Sequence, residues 1–143
     1  MGRDVRIRAF APKDEAAVVA LWEQCHLTRP WNDPHKDIAR KLAVQPELFL
    51  VGSVAGVIVA SVMAGYEGHR GWVNYLAVSP AHRRKGLGRT LMQEAERRLL
   101  ERGCPKINVQ VRNGNGGALA FYAKLGYAQD EAVALGKRLI ADA

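Results

Sequence analysis

The stretch Leu76-Ala-Val-Ser-Pro-Ala-His-Arg-Arg-Lys-Gly-Leu-Gly-Arg-Thr90 joins a mostly apolar run, Trp72 to Val78, to a segment with helical periodicity. In that segment small or large apolar residues recur at every fourth position from Leu87 to Leu99, which predicts an amphipathic helix. The first turn of a helix leaves about four backbone N–H groups without partners, and the helix dipole adds partial positive charge at the same end. The loop between strand and helix is therefore predicted to bind an anion.

Two glycines and a cluster of basic side chains support this prediction. Gly86 and Gly88 remove side chains that would keep an anion away from the backbone. The basic residues of the loop are Arg83, Arg84, Lys85 and Arg89. Positive side chains are unfavourable at a helix N-terminus unless an anion is bound there. The presence of these four basic residues therefore favours a phosphate-binding site over a helix start exposed to solvent. Neither the Walker pattern nor the dinucleotide fingerprint is present, since the latter needs a third glycine where Leu91 stands.

The composition is that of one globular domain with a basic surface. The chain has 143 residues, of which 48% are hydrophobic and 24% are charged, so we expect a single domain over residues 1–143. Lys and Arg number 21 against 14 Asp and Glu, which gives a formal net charge of +7. This excess indicates an anionic partner, and charge alone leaves nucleic acid, a membrane surface and a phosphorylated small molecule open.

The sequence contains no clear signal for export, a membrane or a metal. Cys25 and Cys104 are too few for a disulfide framework, and we expect both to be reduced thiols in a cytoplasmic protein. The cysteines and histidines lack the spacing of a zinc site, so no metal is expected. The uncharged stretch 48–66 approaches the length of a membrane span. Its valines and the turn-like residues 52–56 instead predict two strands joined by a turn.

The predicted elements follow the order of one mixed α/β domain. Helices are expected from Pro12, from Pro34 behind the cap Asp33, from Leu87, and after the cap Asn115. Strands are expected at 5–10, 48–53, 57–66, 72–78 and 106–111, with one or two more between Tyr127 and Leu139. The prediction is thus a sheet of six or seven strands flanked by about four helices.

Two blocks of the sequence resemble the GNAT superfamily, the Gcn5-related N-acetyltransferases. The family's motif Gln/Arg-x-x-Gly-x-Gly/Ala, between a strand and a helix, is matched by residues 83–88. A second pattern, Asn-x-x-Ala-x-x-x-Tyr-x-x-x-Gly-Phe/Tyr, is matched by Asn115, Ala118, Tyr122, Gly126 and Tyr127. The detail is most similar to small bacterial single-domain members, including the ribosomal-protein alanine acetyltransferases. The resemblance implies a mostly antiparallel, twisted GNAT sheet and acetyl-CoA as co-substrate.

The resemblance also implies a set of cofactor-binding residues. The backbone of Leu76, Ala77 and Val78 would pair with the pantetheine arm as a neighbouring strand does. The backbone N–H groups of the loop would hold the pyrophosphate, with the basic side chains around them; the residues concerned are Arg83, Arg84, Lys85, Gly86, Leu87, Gly88 and Arg89. Asn115 would contact the cofactor near its thiol end.

The implied chemistry is direct attack of a primary amine on the thioester in a ternary complex. Tyr122 would be the general acid that protonates the leaving thiolate. The backbone N–H of Val78 is the candidate donor to the oxyanion of the tetrahedral intermediate. No enzyme nucleophile is required, so we expect Cys104 to be a packing residue.

One departure from the family pattern affects the general base. The alanine acetyltransferases carry a Glu in a Leu-Glu-Val-Arg run where this chain has Gln110, which cannot accept a proton. Glu67, His69 or a water held by Asn74 are the remaining candidates for the base. The departure keeps open a CoA-binding module without catalysis.

The acceptor amine and the rest of the basic excess are left open by the sequence. A nucleic-acid-binding domain is the less favoured alternative, in which α-helical Arg97, Arg98 and Arg102 would extend the basic loop, but no stacking aromatics lie between these residues. We expect no nucleic-acid or membrane partner, and a monomer or homodimer. A protein N-terminus, a lysine, a free amino acid and a small amine all remain open as acceptors, and we expect the choice among them to be made around Trp31, Asn74 and residues 127–138.

Overall fold

The computed structural model describes residues 4–142 and contains a five-stranded sheet with four α-helices in that range. The strands are β1 (Arg6–Ala9), β2 (Phe49–Val54), β3 (Val57–Tyr66), β4 (Gly71–Val78) and β5 (Ile107–Val109). The helices are α1 (Glu15–Gln24), α2 (Pro34–Leu42), α3 (Leu87–Glu101) and α4 (Gly116–Lys124). Each predicted helix is present. The first begins later than expected, because Pro12–Asp14 forms a 3₁₀ turn before α1.

The strands lie in the order β1-β2-β3-β4-β5. The first three pairings are antiparallel, and β4 pairs with β5 in parallel through the crossover helix α3. Ala55 and Gly56 turn the chain between β2 and β3 with φ of +52° and +82°, the backbone of a tight hairpin turn. The predicted hairpin over 48–66 is confirmed. No helix within residues 4–142 has the length and apolar character to cross a membrane.

The expectation of six or seven mostly antiparallel strands is corrected to five strands in a mixed sheet. Residues from Tyr127 to Leu139 form no strand. Alternating apolar residues form a strand only where a neighbouring edge accepts their backbone groups, and here Val133 and Leu135 are 86% and 92% exposed. Polar contacts hold this segment instead, including the salt bridge from Lys106 Nζ to Asp130 at 2.9 Å.

The two faces of the sheet are covered by different helices. On one face α3 buries the side chains Leu91, Met92, Ala95 and Leu99 against β2, β3 and β4. On the other face α1 and α2 bury Val18, Trp22 and Ile38 against Phe49 and Val51. The helical periodicities predicted from sequence therefore mark the packing faces. Cys104 is 7% exposed in the α3 cluster, in accord with its predicted packing role.

Candidate active site

Strand β4 separates from β5 halfway along its length. The two strands pair only from Gly71 to Val73, so the remainder of β4 has an open edge toward β5. Ser79 N donates to Val59 O at 2.7 Å on the β3 side. Since hydrogen-bonded and non-hydrogen-bonded pairs alternate along antiparallel strands, Val78 N–H points away from β3 and into the open edge.

A β-bulge at Tyr75 directs this half of β4. The register between β3 and β4 shifts between Ser61 and Met63, and Tyr75 has φ of +53°. A non-glycine residue in this left-handed region is uncommon and must be held by its surroundings. A bulge also bends its strand and increases the local twist. The shift therefore accounts for the departure of β4 from β5.

Contacts from the α1–α2 face hold the bulge in place. The ring of Tyr75 stacks on Trp22, and its hydroxyl donates to Asp37 Oδ2 at 2.6 Å. Trp22 Nε1 donates to Ser61 Oγ at 2.8 Å, and Ser61 Oγ donates to the carbonyl of Tyr75 at 2.9 Å. Both the side chain and the carbonyl of Tyr75 are thus fixed by hydrogen bonds. No feature of the sequence indicated Tyr75, because its partners come from three separate elements.

The loop after β4 presents free backbone donors. Gly86 precedes α3 in the left-handed conformation at φ +80°, and Arg84 also has positive φ at +65°. Within residues 4–142, no acceptor receives a hydrogen bond from the backbone N–H groups of residues 84–89; the first bonded N–H is that of Thr90, to Gly86 O. Arg84, Lys85 and Arg89 are exposed around these donors. The side chain of Arg83 folds back, and its Nε donates to Val78 O at 3.1 Å.

Gly88 has a packing role that the sequence did not indicate. A Cβ at this position would lie 3.2 Å from Cε1 and Cζ of Phe121 and 3.6 Å from Cγ2 of Val78. The glycine therefore permits close contact between the start of α3, helix α4 and the end of β4. At Gly86 a Cβ would meet nothing within 4 Å, so its requirement is the positive φ alone.

Helix α4 carries the second predicted group of site residues. Asn115 caps it as predicted, since its Oδ1 accepts from Ala118 N at 3.0 Å. The ring of Tyr122 packs edge-on against Phe121 and Tyr127, with centroids 5.1 and 5.5 Å apart. Burial raises the pKa of Tyr122 to about 12. Its hydroxyl has no hydrogen-bond partner among the residues that the structure describes.

Tyr127 anchors α4 to α3. Its hydroxyl donates to Glu96 Oε2 at 2.7 Å, and burial together with this bond raises its pKa well above the ordinary value. The ring of Tyr127 lies against that of Tyr122. The final tyrosine of the Asn115–Tyr127 block therefore fixes the position of the Tyr122 ring.

The base candidates named from sequence lie in different places. Glu67 and His69 occupy the β3–β4 loop, where Glu67 Oε1 accepts from His69 N at 2.6 Å. That loop is at the opposite end of β4 from Val78, a distance of about 23 Å at the usual rise per residue. Asn74 is exposed beside the bulge, and Gln110 is exposed directly after β5. Of the named candidates, only Asn74 adjoins the open edge.

Comparison with known proteins matches both the sequence blocks and the fold. The model of the acetyltransferase (GNAT) family matches residues 16–127. Acetyltransferase YE1169 of Yersinia enterocolitica is 50% identical over 138 residues, which cover 96% of this chain and 98% of that protein. The chain therefore belongs to the acetyltransferase (GNAT) family, an enzyme family that uses acetyl-CoA as co-substrate.

Two solved structures support the same assignment. Ard1 from Thermoplasma volcanium has a TM-score of 0.76 and 28% identity, with coverage of 87% of this chain and 82% of that one. The ribosomal-protein-S18-alanine N-acetyltransferase from Escherichia coli has a TM-score of 0.73 and 26% identity, with coverage of 86% and 77%. The resemblance stated from sequence is confirmed.

Proposed function

We propose that this protein transfers an acetyl group from acetyl-CoA to a primary amine by direct attack in a ternary complex. The observation that carries the proposal is the open edge of β4, which ends directly before a loop of unpaired backbone donors. An extended chain with amide groups can pair with the open edge, and a diphosphate can bind the backbone donors of the loop. Acetyl-CoA carries both in one molecule.

The pantetheine arm is proposed to pair with Leu76 and Val78. By the alternation along β4, the backbone groups of Val78, and of Leu76 two residues before it, face the open edge. Those of Ala77 face Ser61 on β3, so the proposed pairing is narrower than the three-residue prediction. Ala77 instead keeps β4 attached to the sheet.

The pyrophosphate is proposed to lie on the backbone N–H groups of residues 84–89. These donors, the start of the α3 dipole and the exposed side chains of Arg84, Lys85 and Arg89 all favour negative charge at one place. Asn115 is proposed to contact the cofactor through its side-chain NH₂, since its Oδ1 is used in capping α4.

The chemical step uses two groups of this chain. The amine nitrogen forms a bond to the thioester carbonyl carbon, and the carbonyl oxygen gains negative charge that a backbone N–H of the open edge stabilises. We assign this role to the N–H of Leu76, because the N–H of Val78, the donor expected from sequence, is assigned to the pantetheine arm and the carbonyl of Val78 accepts from Arg83. The intermediate then breaks its C–S bond, and Tyr122 donates its proton to the leaving thiolate. A phenol with a pKa of about 12 is protonated at neutral pH, as this role requires. Tyr122 regains its proton from solvent.

The proton of the attacking amine is proposed to leave through water. Gln110 cannot accept it, and Glu67 and His69 lie at the far end of β4, where Glu67 Oε1 accepts from the backbone N–H of His69. Exposed Asn74, beside the bulge, is placed to hold a water at the open edge. Because Gln110 stands where relatives carry a proton-accepting Glu, it also favours the second candidate function, a CoA-binding module that does not catalyse transfer.

The nucleic-acid alternative loses the basic face on which it depended. Arg97 forms salt bridges with Glu94 and Glu101, Arg98 with Glu94, and Arg102 with Glu47. The bonds from Arg97 and Arg98 lower the pKa of Glu94 to about 2, so this carboxylate is ionised at neutral pH and offsets positive charge on α3. Within residues 4–142, Arg84, Lys85 and Arg89, at and before the start of α3, form no salt bridge with a carboxylate.

The proposal is tested by calorimetric titration with acetyl-CoA followed by an assay of thiol release against a panel of amines. Saturable binding and amine-dependent thiol release are expected. Absence of binding at moderate salt would overturn the proposal. Binding without release on any amine would favour the non-catalytic module.

A further inference from the structure

Trp31 and Arg112 meet beside the point where β4 and β5 separate. The guanidinium carbon of Arg112, which follows β5, lies 5.9 Å from the ring centroid of Trp31, which lies between α1 and α2. Trp31 is 52% exposed although it is a large aromatic residue. The contact joins the α1–α2 loop to the β5–α4 loop. Arg112 is three residues beyond Val109, the last residue of β5 that pairs with β4, so the contact involves chain past the end of that pairing.

The strand residues on this side are aromatic or uncharged. Val73 is buried on the α3 face, so its neighbours Trp72 and Asn74 point to the opposite face. Trp72 is 37% exposed and pairs in register with Asn108 of β5. Gln110 continues the same face beyond the last pair. We call this surface, formed by Trp31, Trp72, Asn74, Gln110 and Arg112, the acceptor face.

The two loops that meet at Trp31 carry unpaired positive charge. Within residues 4–142, neither Arg112 nor Arg29 has a carboxylate oxygen within 4.0 Å. Arg29 lies in the same loop as Trp31. Its Nη1 donates to the carbonyls of His26 and Thr28 at 2.7 and 2.8 Å, and these bonds fix its guanidinium group within the loop. Arg138 donates to Asn32 Oδ1 in that loop and is 3.5 Å from Asp142.

The carboxylates of this region are already engaged. Asp33 caps α2 through His35 N at 2.9 Å. Asp37 accepts from Tyr75 and Arg40. Asp142 accepts from Arg40 Nη2 and from Asp33 N, both at 2.7 Å, and these bonds lower its pKa to about 2. Asp33, Asp37 and Asp142 are therefore each held in hydrogen bonds, whereas Arg29 and Arg112 have no carboxylate partner among the residues that the structure describes.

We infer that the acceptor is a primary amine that also carries a carboxylate. This inference rests on the proposed acetyl transfer and names the class of its acceptor. Arg112 binds the carboxylate with two parallel N–H···O bonds, since the guanidinium fork matches that geometry and the Trp31 ring orients it. The exposed ring of Trp31, against which Arg112 lies, covers the apolar part of the acceptor next to its carboxylate. A polyamine or aminoglycoside is disfavoured by like charge.

The test compares acceptors that differ in one charge. Thiol release from acetyl-CoA is measured with phenylalanine and with phenylalanine amide, and with two C-terminally amidated tetrapeptides that begin Ala-Glu and Ala-Gln. A preference within the phenylalanine pair would indicate a free amino acid as the acceptor. A preference within the peptide pair would indicate a protein N-terminus followed by an acidic residue. We expect kcat/KM to be about 10- to 100-fold higher for the acidic member of at least one pair, the usual range for a charge-assisted bidentate contact. Spermidine is expected to be a poor acceptor.

A variant pair assigns this preference to Arg112. Arg112→Gln is expected to raise KM for the acidic acceptor about tenfold, to abolish discrimination within the pair, and to leave the Kd of acetyl-CoA unchanged. Arg112→Lys restores part of the discrimination, since it keeps the charge without the fork. Arg70→Gln is the matched control, because Arg70 lies in the distant β3–β4 loop, where it donates to His69 O.

The outcomes separate this inference from the proposed function. Equal kcat/KM within both pairs, or a preference for spermidine, overturns the inference while acetyl transfer stands. Acetyl-CoA binding with no turnover of any carboxylate-bearing amine also overturns it. Absence of acetyl-CoA binding overturns the proposed function itself.

Discussion

The ring of Tyr75 lies nearly parallel to that of Trp22, with centroids 3.8 Å and planes 11° apart. This stack connects α1 to the bulge of β4 and, through the Tyr75 hydroxyl, to Asp37 on α2. Contacts on the α1–α2 face of the sheet thus hold the part of β4 at which the thioester is proposed to bind. Residues that do not touch the cofactor are expected to control its binding.

Replacing Tyr75 tests this control. Tyr75→Phe keeps the stack but removes the hydrogen bond to Asp37, and a loss of about 1–2 kcal/mol of unfolding free energy is expected. Tyr75→Ala also removes the ring that holds the positive φ, and we expect a weaker Kd for acetyl-CoA. Urea unfolding and calorimetry measure the two effects. Tyr66→Phe is the control, since that hydroxyl donates only to loop carbonyls. An unchanged Kd in Tyr75→Ala would separate the bulge from cofactor binding.

Tyr122→Phe tests the general acid. The ring still packs against Phe121 and Tyr127, but the proton for the thiolate is gone, so kcat is expected to fall by about 10²–10⁴. The Kd of acetyl-CoA is expected to stay the same. Tyr127→Phe is the matched control, because it loses a hydrogen bond to Glu96 but no proposed proton donor. Wild-type kcat in Tyr122→Phe would remove this residue from the chemistry.

The pH dependence of kcat/KM reports both proton transfers. The pKa of Tyr122 is raised to about 12, so the acid stays protonated and no fall in rate is expected below about pH 11. Without a carboxylate or histidine base, the rise in rate follows the acceptor's own amine, near pH 8 for an α-amino group. A profile between pH 6 and 10.5 checks this. If kcat/KM falls with rising pH within this range, and Tyr122→Phe removes that fall, the raised pKa assigned to Tyr122 would be contradicted.

The two loop glycines are expected to respond differently to substitution. Gly88→Ala brings a Cβ to 3.2 Å from Phe121, and a loss of about 1–2 kcal/mol of unfolding free energy is expected. Gly86→Ala meets no atom within 4 Å and is expected to cost about 1 kcal/mol through its φ of +80°. Gly117→Ala, whose nearest new contact is 3.8 Å away in α4, is the control. Thermal unfolding compares the three; equal effects at positions 88 and 117 would rule out the close contact.

Gly86→Glu tests the proposed pyrophosphate loop directly. The added carboxylate lies beside the N–H groups of residues 84–89 and competes with phosphate for them. We expect at least tenfold weaker binding of acetyl-CoA with an unchanged far-ultraviolet circular dichroism spectrum. Gly56→Glu, at a similar positive φ in the β2–β3 turn, controls for strain alone. Retained affinity in Gly86→Glu would place the pyrophosphate elsewhere.

Local patterns in the sequence predicted the parts of the fold that local chemistry determines. The turn expected within residues 52–56, the cap Asn115 and the periodicity of α3 each act within a few residues. The cap and the helix are found as expected, and the turn is narrower, at Ala55 and Gly56, because residues 52–54 belong to β2. The bulge at Tyr75 could not be predicted, because its positive φ is held by residues distant in the sequence and no local pattern indicates it. The strands expected after Tyr127 were wrong for a related reason: alternation is local, but pairing needs an edge supplied by the rest of the chain.

The central claim is amine-dependent acetyl transfer at the open edge of β4. The most direct measurement is a single reaction of the protein with acetyl-CoA and a panel of primary amines, with and without a carboxylate, in which free thiol and acetylated amine are quantified together. The account predicts equal molar amounts of the two products, both strongly reduced in Tyr122→Phe. Thiol release without acetylated amine, or no release from protein that binds acetyl-CoA, would contradict it.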